Sequence, residues 1–168
     1  MVESVVAIGV ELWVMETRHA KIMDAEAVCG LINYYAERGL MLHRSMESFY
    51  DSLREFIVAV DDNGRIVGCA AVDVMWADLA EVKSLAVAPE MRRGGIGSEL
   101  INAALADARR IGVKKLFSLT YEQRFFERHG FSVIDREQLP EKVWRECIAC
   151  EKVNACDEIA MWYLLDEQ

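Results

Sequence analysis

From Ala88 to Leu100 the chain reads Ala-Pro-Glu-Met-Arg-Arg-Gly-Gly-Ile-Gly-Ser-Glu-Leu. The apolar-rich run Ala80 to Val87 before it predicts a strand, ending near Pro89. After it, Leu100, Ile101, Ala104, Leu105, Ala108 and Ile111 recur every three or four residues, predicting an amphipathic helix stopped by Gly112. Gly94, Gly95 and Gly97 therefore fall where a strand hands over to a helix. A helix start exposes unpaired N–H groups and the positive end of the helix dipole. Glycines there let an anion approach without a Cβ in the way, so the segment can cradle a pyrophosphate. The plainer reading is a turn that only begins the helix. The spacing lacks the Lys-Ser/Thr of a nucleoside-triphosphatase loop, and its mid-chain place differs from a dinucleotide-fold start.

The remaining elements follow from spacing and turn chemistry. Residues 1–13 are the least legible and read as an extra strand or an irregular start. A short strand is expected from Val14 to Ala20, then a helix with Asp24 as N-cap, Val28, Leu31, Ile32 and Tyr35 on one face, and Gly39 as its stop. Ser45 to Leu53 predicts a second short helix. Phe56 to Val60 and Ile66 to Trp76 read as strands joined by Asp61-Asp62-Asn63-Gly64, where Asn-Gly suits a tight hairpin turn. Lys115 to Thr120 is a strand, Gln123 to His129 a short helix stopped by Gly130, and Phe131 to Ile134 and Ile159 to Leu165 are further strands. Antiparallel strands followed by alternating strands and helices predict an α/β (α+β) fold, a mixed central sheet flanked by helices. No repeat or linker divides residues 1–168, so one domain is expected, with a core over about 15–135 and a C-terminal segment at 136–168.

Composition narrows the partners. Lys and Arg number 19 against 28 Asp and Glu, for a formal net charge of -9. No basic stripe offers to neutralise a run of phosphates, which argues against nucleic acid. Arg92 and Arg93 suit one compact anion instead. The early apolar run Val5 to Val10 is too short to span a bilayer and lacks a charged leader start, so the expectation is no membrane, a cytoplasmic setting and reduced thiols at the five cysteines.

Three segments in order carry a family resemblance. Arg92-x-x-Gly95-x-Gly97 is similar to the Arg/Gln-x-x-Gly-x-Gly/Ala acyl-CoA motif of the GNAT N-acetyltransferases. Leu85-Ala86-Val87 resembles the strand that precedes that motif, and Phe125-Phe126-Glu127-Arg128-His129-Gly130-Phe131 resembles the family's later aromatic-x-x-x-Gly-Phe signature. The resemblance implies the GNAT fold and acetyl-CoA as co-substrate. By it, the N–H groups of Arg93, Gly94, Gly95, Ile96, Gly97 and Ser98 hold the coenzyme A pyrophosphate beside Arg92. Backbone groups of Leu85 and Val87 align the pantetheine arm, and the Val87 N–H polarises the thioester carbonyl. Such domains often dimerise through late strands, so a homodimer is compatible with it.

Further segments resemble one branch, the short single-domain N-acetylglutamate synthases of arginine biosynthesis. They are Gly39-Leu-Met-Leu-His-Arg-Ser45, Glu81-Val-Lys-Ser-Leu-Ala-Val87, Leu116-Phe-Ser-Leu-Thr120, and Leu139-Pro140 with Lys142-Val-Trp144. The branch implies transfer of acetyl to the α-amine of L-glutamate by direct attack in a ternary complex. An ammonium cannot attack until it loses a proton, and Glu81 stands at the general-base position. Arg44 matches a substrate-carboxylate arginine, and Lys83, on the same strand face as Glu81, can hold a second carboxylate. Surface roles remain the alternative for all three. Many relatives carry Tyr as the second aromatic of the late signature to protonate the departing thiolate; Phe126 cannot, and Tyr121 is the nearest substitute. The Arg and Ser that longer synthases place near the last strand have no match around Cys156 to Ile159. Glutamine or another small amine, and an acyl-CoA-binding module without turnover, therefore stay open.

Cys147-x-x-Cys150 with Cys156 can be read as three zinc ligands needing His129 or Asp157 as a fourth, or as plain thiols. The spacing supplies no clear fourth ligand, and no metal is assigned. His19 and His129 read as structural, while His43 adjoins Arg44 at the edge of the acceptor side.

Overall fold

The N-terminal half is an antiparallel meander interrupted by two helices. Strands β1 (Val2–Ile8) and β2 (Glu11–His19) form a hairpin, and helices α1 (Ala25–Ala36) and α2 (Met46–Asp51) follow. Strands β3 (Phe56–Asp61), β4 (Ile66–Trp76) and β5 (Leu79–Val87) then run antiparallel in turn. Helix α3 (Ile96–Ile111) crosses over to β6 (Lys115–Thr120), which lies parallel to β5. Helix α4 (Gln123–Arg128), β7 (Ser132–Val133) and β8 (Ile159–Leu164) complete the order. The computed structural model describes residues 2–8, 11–140 and 156–165, and among these eight strands form one mixed sheet, β1-β2-β3-β4-β5-β6-β8-β7. Among the described residues no helix is long and apolar enough to cross a membrane.

Each face of the sheet has its own core. On one, α3 lays Ile96, Leu100, Ile101, Ala104, Leu105 and Ala108 against Ala70, Val72, Ala80 and Val82. On the other, Val28, Cys29 and Ile32 of α1 and Phe49 of α2 cover Phe56, Val58, Val60 and Ala71. The period-two alternation in β3 sorts Ile57 and Ala59 to the first core and Val58 and Val60 to the second. Gly68 of β4 lets α3 sit close. A Cβ there would lie 2.9 Å from Leu100 Cδ1, 3.0 Å from Ile96 Cγ2 and 3.2 Å from the Ala86 carbonyl oxygen.

Three local expectations are corrected. Strand β2 begins earlier than Val14, because β1 pairs with it from Thr17 back to Glu11. Asp24 does not cap α1: the chain already turns through a 3-10 segment at Ile22–Asp24, and the carboxylate reaches back to the Lys21 N–H and Arg18 instead. In the β3–β4 turn only Gly64 is left-handed, at φ +79°. The Gly64 N–H donates to the Asp61 carbonyl, and the Asp61 carboxylate accepts from the Asn63 and Arg65 N–H groups. That is a turn followed by one left-handed residue, not a two-residue hairpin loop.

Two outcomes follow. Gly68→Ala forces Leu100, Ile96 or the Ala86 backbone to give way, a cost of about 1–3 kcal/mol of overpacking read as a lower urea midpoint. For Asp24, burial opposes ionisation, but the Arg18 guanidinium and the Lys21 N–H outweigh it and hold the carboxyl below its ordinary 3.8. A depressed folded-state value gives stability that is present above the ordinary carboxylate range and lost as pH falls through the folded-state value. The urea-midpoint gap between the parent chain and Asp24→Asn should therefore be widest near neutral pH and close on acidification.

Candidate active site

Strands β5 and β6 pair only at Leu79↔Lys115, Ala80↔Leu116 and Glu81↔Phe117, although β5 continues to Val87 and β6 to Thr120. Beyond Glu81 they part and leave a wedge. The origin is a bulge in β5. Against β4, Cys69 faces Ala86 and Ala71 faces Lys83, so two steps along β4 meet three along β5. The extra residue is at Ser84, held left-handed at φ +53°. Such an insertion bends a strand and changes which face its side chains take. Ala80 and Val82 face α3, whereas past the bulge Ala86 faces α1 and α2 and Leu85 and Val87 pack toward α3. Cys69 fits against the bulge. Its thiol donates to the Ser84 carbonyl at 3.4 Å, and the Ala86 N–H points at the sulfur. Full burial pushes this thiol up to about 12, so it stays protonated.

The edge of β5 is turned into the wedge at its far end. The Ala88 N–H donates to the Val67 carbonyl at 2.8 Å, which makes Gly68 and Val87 a non-hydrogen-bonded pair. The Val87 N–H and C=O consequently point away from β4. Tyr35 of α1 donates its hydroxyl to that C=O at 2.5 Å. A 3-10 turn at Pro89–Met91 follows, then Arg93 at φ +68° and Gly95 at φ +87°, the N-cap of α3. Gly95 offers no capping side chain. The N–H groups of Ile96, Gly97 and Ser98 therefore open from the first turn of α3 with the positive end of its dipole behind them. A Cβ on Gly97 would come within 3.3 Å of the Phe125 ring, so α4 closes on the loop from the other side. Arg92 and Arg93 are exposed at the rim, and Arg92 Nη2 lies 3.9 Å from Glu122 Oε1, just beyond β6. An extended polar edge leading to a helix N-terminus suits a ligand with an amide-bearing arm and an anionic end.

The expected acceptor residues gather at the other end of the wedge, on the face opposite α3. Glu81, buried at 8% exposure, occupies the last position where β5 still pairs with β6. Lys83 places Nζ 2.7 Å from Asp73 Oδ2, and Asp73 is the cross-strand partner of Glu81. Arg44 is held at both ends. Its backbone N–H and C=O bond the Asn33 side chain at 2.8 and 2.9 Å. Its guanidinium donates to Ser48 Oγ at 2.8 Å and Ser84 Oγ at 3.4 Å, with Cζ 5.5 Å from the Phe56 ring centre. Arg44 thus reaches the bulge itself. Tyr121, the residue after β6, is half-buried on the far wall. Phe126 lies in the α3-side core against Phe131, so the second aromatic of the late signature is a packing residue here.

Ser84, Asn33, Ser48, Tyr35, Cys69 and Asp73 were not singled out from the sequence. Counting back from the Trp76–Leu79 pair places Val74 opposite Glu81, and only a register shift between Val74 and Trp76 brings Asp73 there; the others depend on elements distant in the chain. His43 is exposed, His19 lies 3.4 Å from Asp107, and His129 Nδ1 is 2.8 Å from the Phe125 carbonyl. Cys156 packs beside Arg136 at 3.3 Å, and Cys147 and Cys150 lie outside the described residues. Among the described residues no group of three His, Cys, Asp or Glu side chains is arranged to hold a metal. Ser84→Gly and Ser84→Val both remove the hydroxyl, but only glycine suits the left-handed backbone. The valine variant should be less stable than the glycine variant by about 1–2 kcal/mol in urea unfolding.

Comparison with known proteins agrees with this geometry. The model of the acetyltransferase (GNAT) family matches residues 24–131. An uncharacterized N-acetyltransferase of Chlorobaculum tepidum is 43% identical over 144 residues, covering 86% of this chain and 92% of that protein. The amino-acid acetyltransferase of Mycobacterium tuberculosis is 32% identical over 149 residues, covering 88% of this chain and 85% of the relative. The crystal structure of N-acetylglutamate synthase from Neisseria gonorrhoeae, complexed with coenzyme A and N-acetyl-glutamate, matches with a TM-score of 0.82 at 30% identity. That match covers 91% of this chain and 35% of the synthase.

Proposed function

Because the chain belongs to the acetyltransferase (GNAT) family and is an acetyl-CoA-dependent N-acetyltransferase, we propose that it acetylates the α-amine of L-glutamate. The observation that carries this reading is the meeting of Arg44 with Ser84 on the bulge, beside buried Glu81 where β5 leaves β6. A cation and a base then stand on one side of the wedge, as an amino acid's carboxylate and ammonium require. The names of the amino-acid acetyltransferase and N-acetylglutamate synthase relatives support the substrate class.

In this reading the N–H groups of Arg93 and of Gly95 to Ser98 receive the pyrophosphate, while buried Gly94 gives its N–H to the Met91 carbonyl at 3.4 Å, and Arg92 and Arg93 add charge at the rim. Leu85 and Val87 line the pantetheine arm, whereas Ala86, expected there from the resemblance, is buried under α1 and α2 on the β4 side; the Val87 N–H donates to the thioester carbonyl as its oxygen gains charge. Arg44 holds a substrate carboxylate. Glu81 takes a proton from the ammonium, directly or through water, and the freed amine attacks. The new C–N bond forms as C–S breaks; the thiolate takes a proton from Tyr121 or from water, and the nitrogen gives up its second proton to that donor, so that the net reaction releases one proton to solvent. Glutamine is the second reading, because Lys83 is already paired with Asp73 and an amide side chain needs no second cation.

Release of free coenzyme A thiol across an amino-acid panel tests both. The highest kcat/KM is expected with L-glutamate, and a higher value with L-glutamine selects the second reading. Glu81→Gln should lower kcat by about 10²–10⁴ at neutral pH with little change in coenzyme A affinity. Arg44→Ala should raise KM for the amino acid by about tenfold or more while KM for acetyl-CoA holds. No release with any amino acid overturns the proposal.

A further inference from the structure

The base position is surrounded by more charge than a lone carboxylate needs. Asp73 and Glu81 are directly opposed on β4 and β5, which puts their Cβ atoms about 4.5–5.5 Å apart. Val72, Ala80 and Val82 face the α3 core, so Asp73 and Glu81 both point the other way. Lys83, also on that side, turns diagonally across the strands to place Nζ 2.7 Å from Asp73 Oδ2. The side chains of Lys83 and Asp73 are 11% and 23% exposed, and Glu81 is 8% exposed. Screening by water is therefore weak, and each charge is felt by the other two.

We propose that Asp73 and Lys83 are positioning residues that set the protonation of Glu81 through a carboxylate–ammonium–carboxylate arrangement across β4 and β5. The proposal rests on the assignment of Glu81 as the base. Two close carboxylates resist being ionised together, and an ammonium beside them offsets that repulsion. Asp73 thus favours the protonated form of Glu81, and the Lys83 ammonium opposes that effect. Further charged groups on this side include Arg44, which reaches Ser84, Lys115 of β6, whose Nζ is 3.2 Å from Asp78, and Arg136, on the segment whose Leu139 packs with Leu79 and Phe117. Lys83, expected to hold substrate, becomes on this view the counter-ion that balances the base.

The pH dependence of kcat/KM, measured on the full chain with its best amino acid, tests this. Asp73→Asn removes a negative neighbour and leaves Lys83 facing Glu81, so the acidic limb should move about one pH unit lower. Lys83→Met takes the ammonium away from beside the two carboxylates, so the limb should move about one unit higher. The double variant should return toward the parent profile, and Lys83→Arg should keep the limb in place. Equal shifts of both single variants in one direction, or no shift in either, overturn the proposal. If Lys83→Met fails to fold, Lys83→Arg and Asp73→Asn still decide it. Full activity in Glu81→Gln would remove the premise, an outcome distinct from an unmoved limb in the charge variants.

Discussion

The site depends on one extra residue in β5. Ser84 cannot pair with β4 in the regular ladder, and its left-handed backbone costs about 1–2 kcal/mol in a non-glycine residue. The cost is sustained because the segment is held from several sides: by β4 on either flank, by the Cys69 thiol on the Ser84 carbonyl, and by Ala86 packed under α1 and α2. In return β5 departs from β6 after Glu81, and a wedge opens that a regular parallel pair would have filled with backbone hydrogen bonds. The same residue's hydroxyl meets Arg44, so the place where the sheet opens is also where a cation is anchored.

The two ends of the wedge are built by different means. At the anionic end the chain supplies backbone: the Val87 edge, then a loop with two left-handed residues, then an uncapped helix start. That arrangement holds its direction because α3 is seated on the sheet over Gly68, leaving its first turn little room to swing. At the other end the chain supplies side chains, and each is tied to a neighbour. Arg44 is gripped by Asn33, Ser48 and Ser84, and Lys83 by Asp73. Tyr35 joins the ends, since α1 carries both Asn33 and the hydroxyl that takes the Val87 carbonyl. An overall charge of -9 is compatible with anionic ligands because these local cations and N–H groups decide what binds.

Much of the fold was legible because its signals are local. Helix α3 shows its apolar stripe and its glycine stop, β6 spans the expected Lys115 to Thr120, and α2 falls within the expected Ser45 to Leu53, shortened to Met46–Asp51 because the Ser45 side chain caps it by accepting from the Ser48 N–H at 3.1 Å. The errors were also local, and each came from a partner the sequence does not display. Asp24 looks like a helix cap, but Arg18 and the Lys21 N–H claim its carboxylate. Asn63-Gly64 looks like a two-residue turn, but the Asp61 side chain organises a longer one.

By itself, the sequence determined that a glycine-rich turn would join a strand to an amphipathic helix, and that Glu81 and Lys83 would share a strand face. Those properties depend on residues a few positions apart, which period and propensity report. Only the tertiary structure decided that β5 bulges at Ser84, that Arg44 reaches that bulge from 40 residues away, and that Lys83 is turned onto Asp73. Each requires the register of a neighbouring strand or the docking of a distant helix, and one residue of shift would send every side chain to the opposite face.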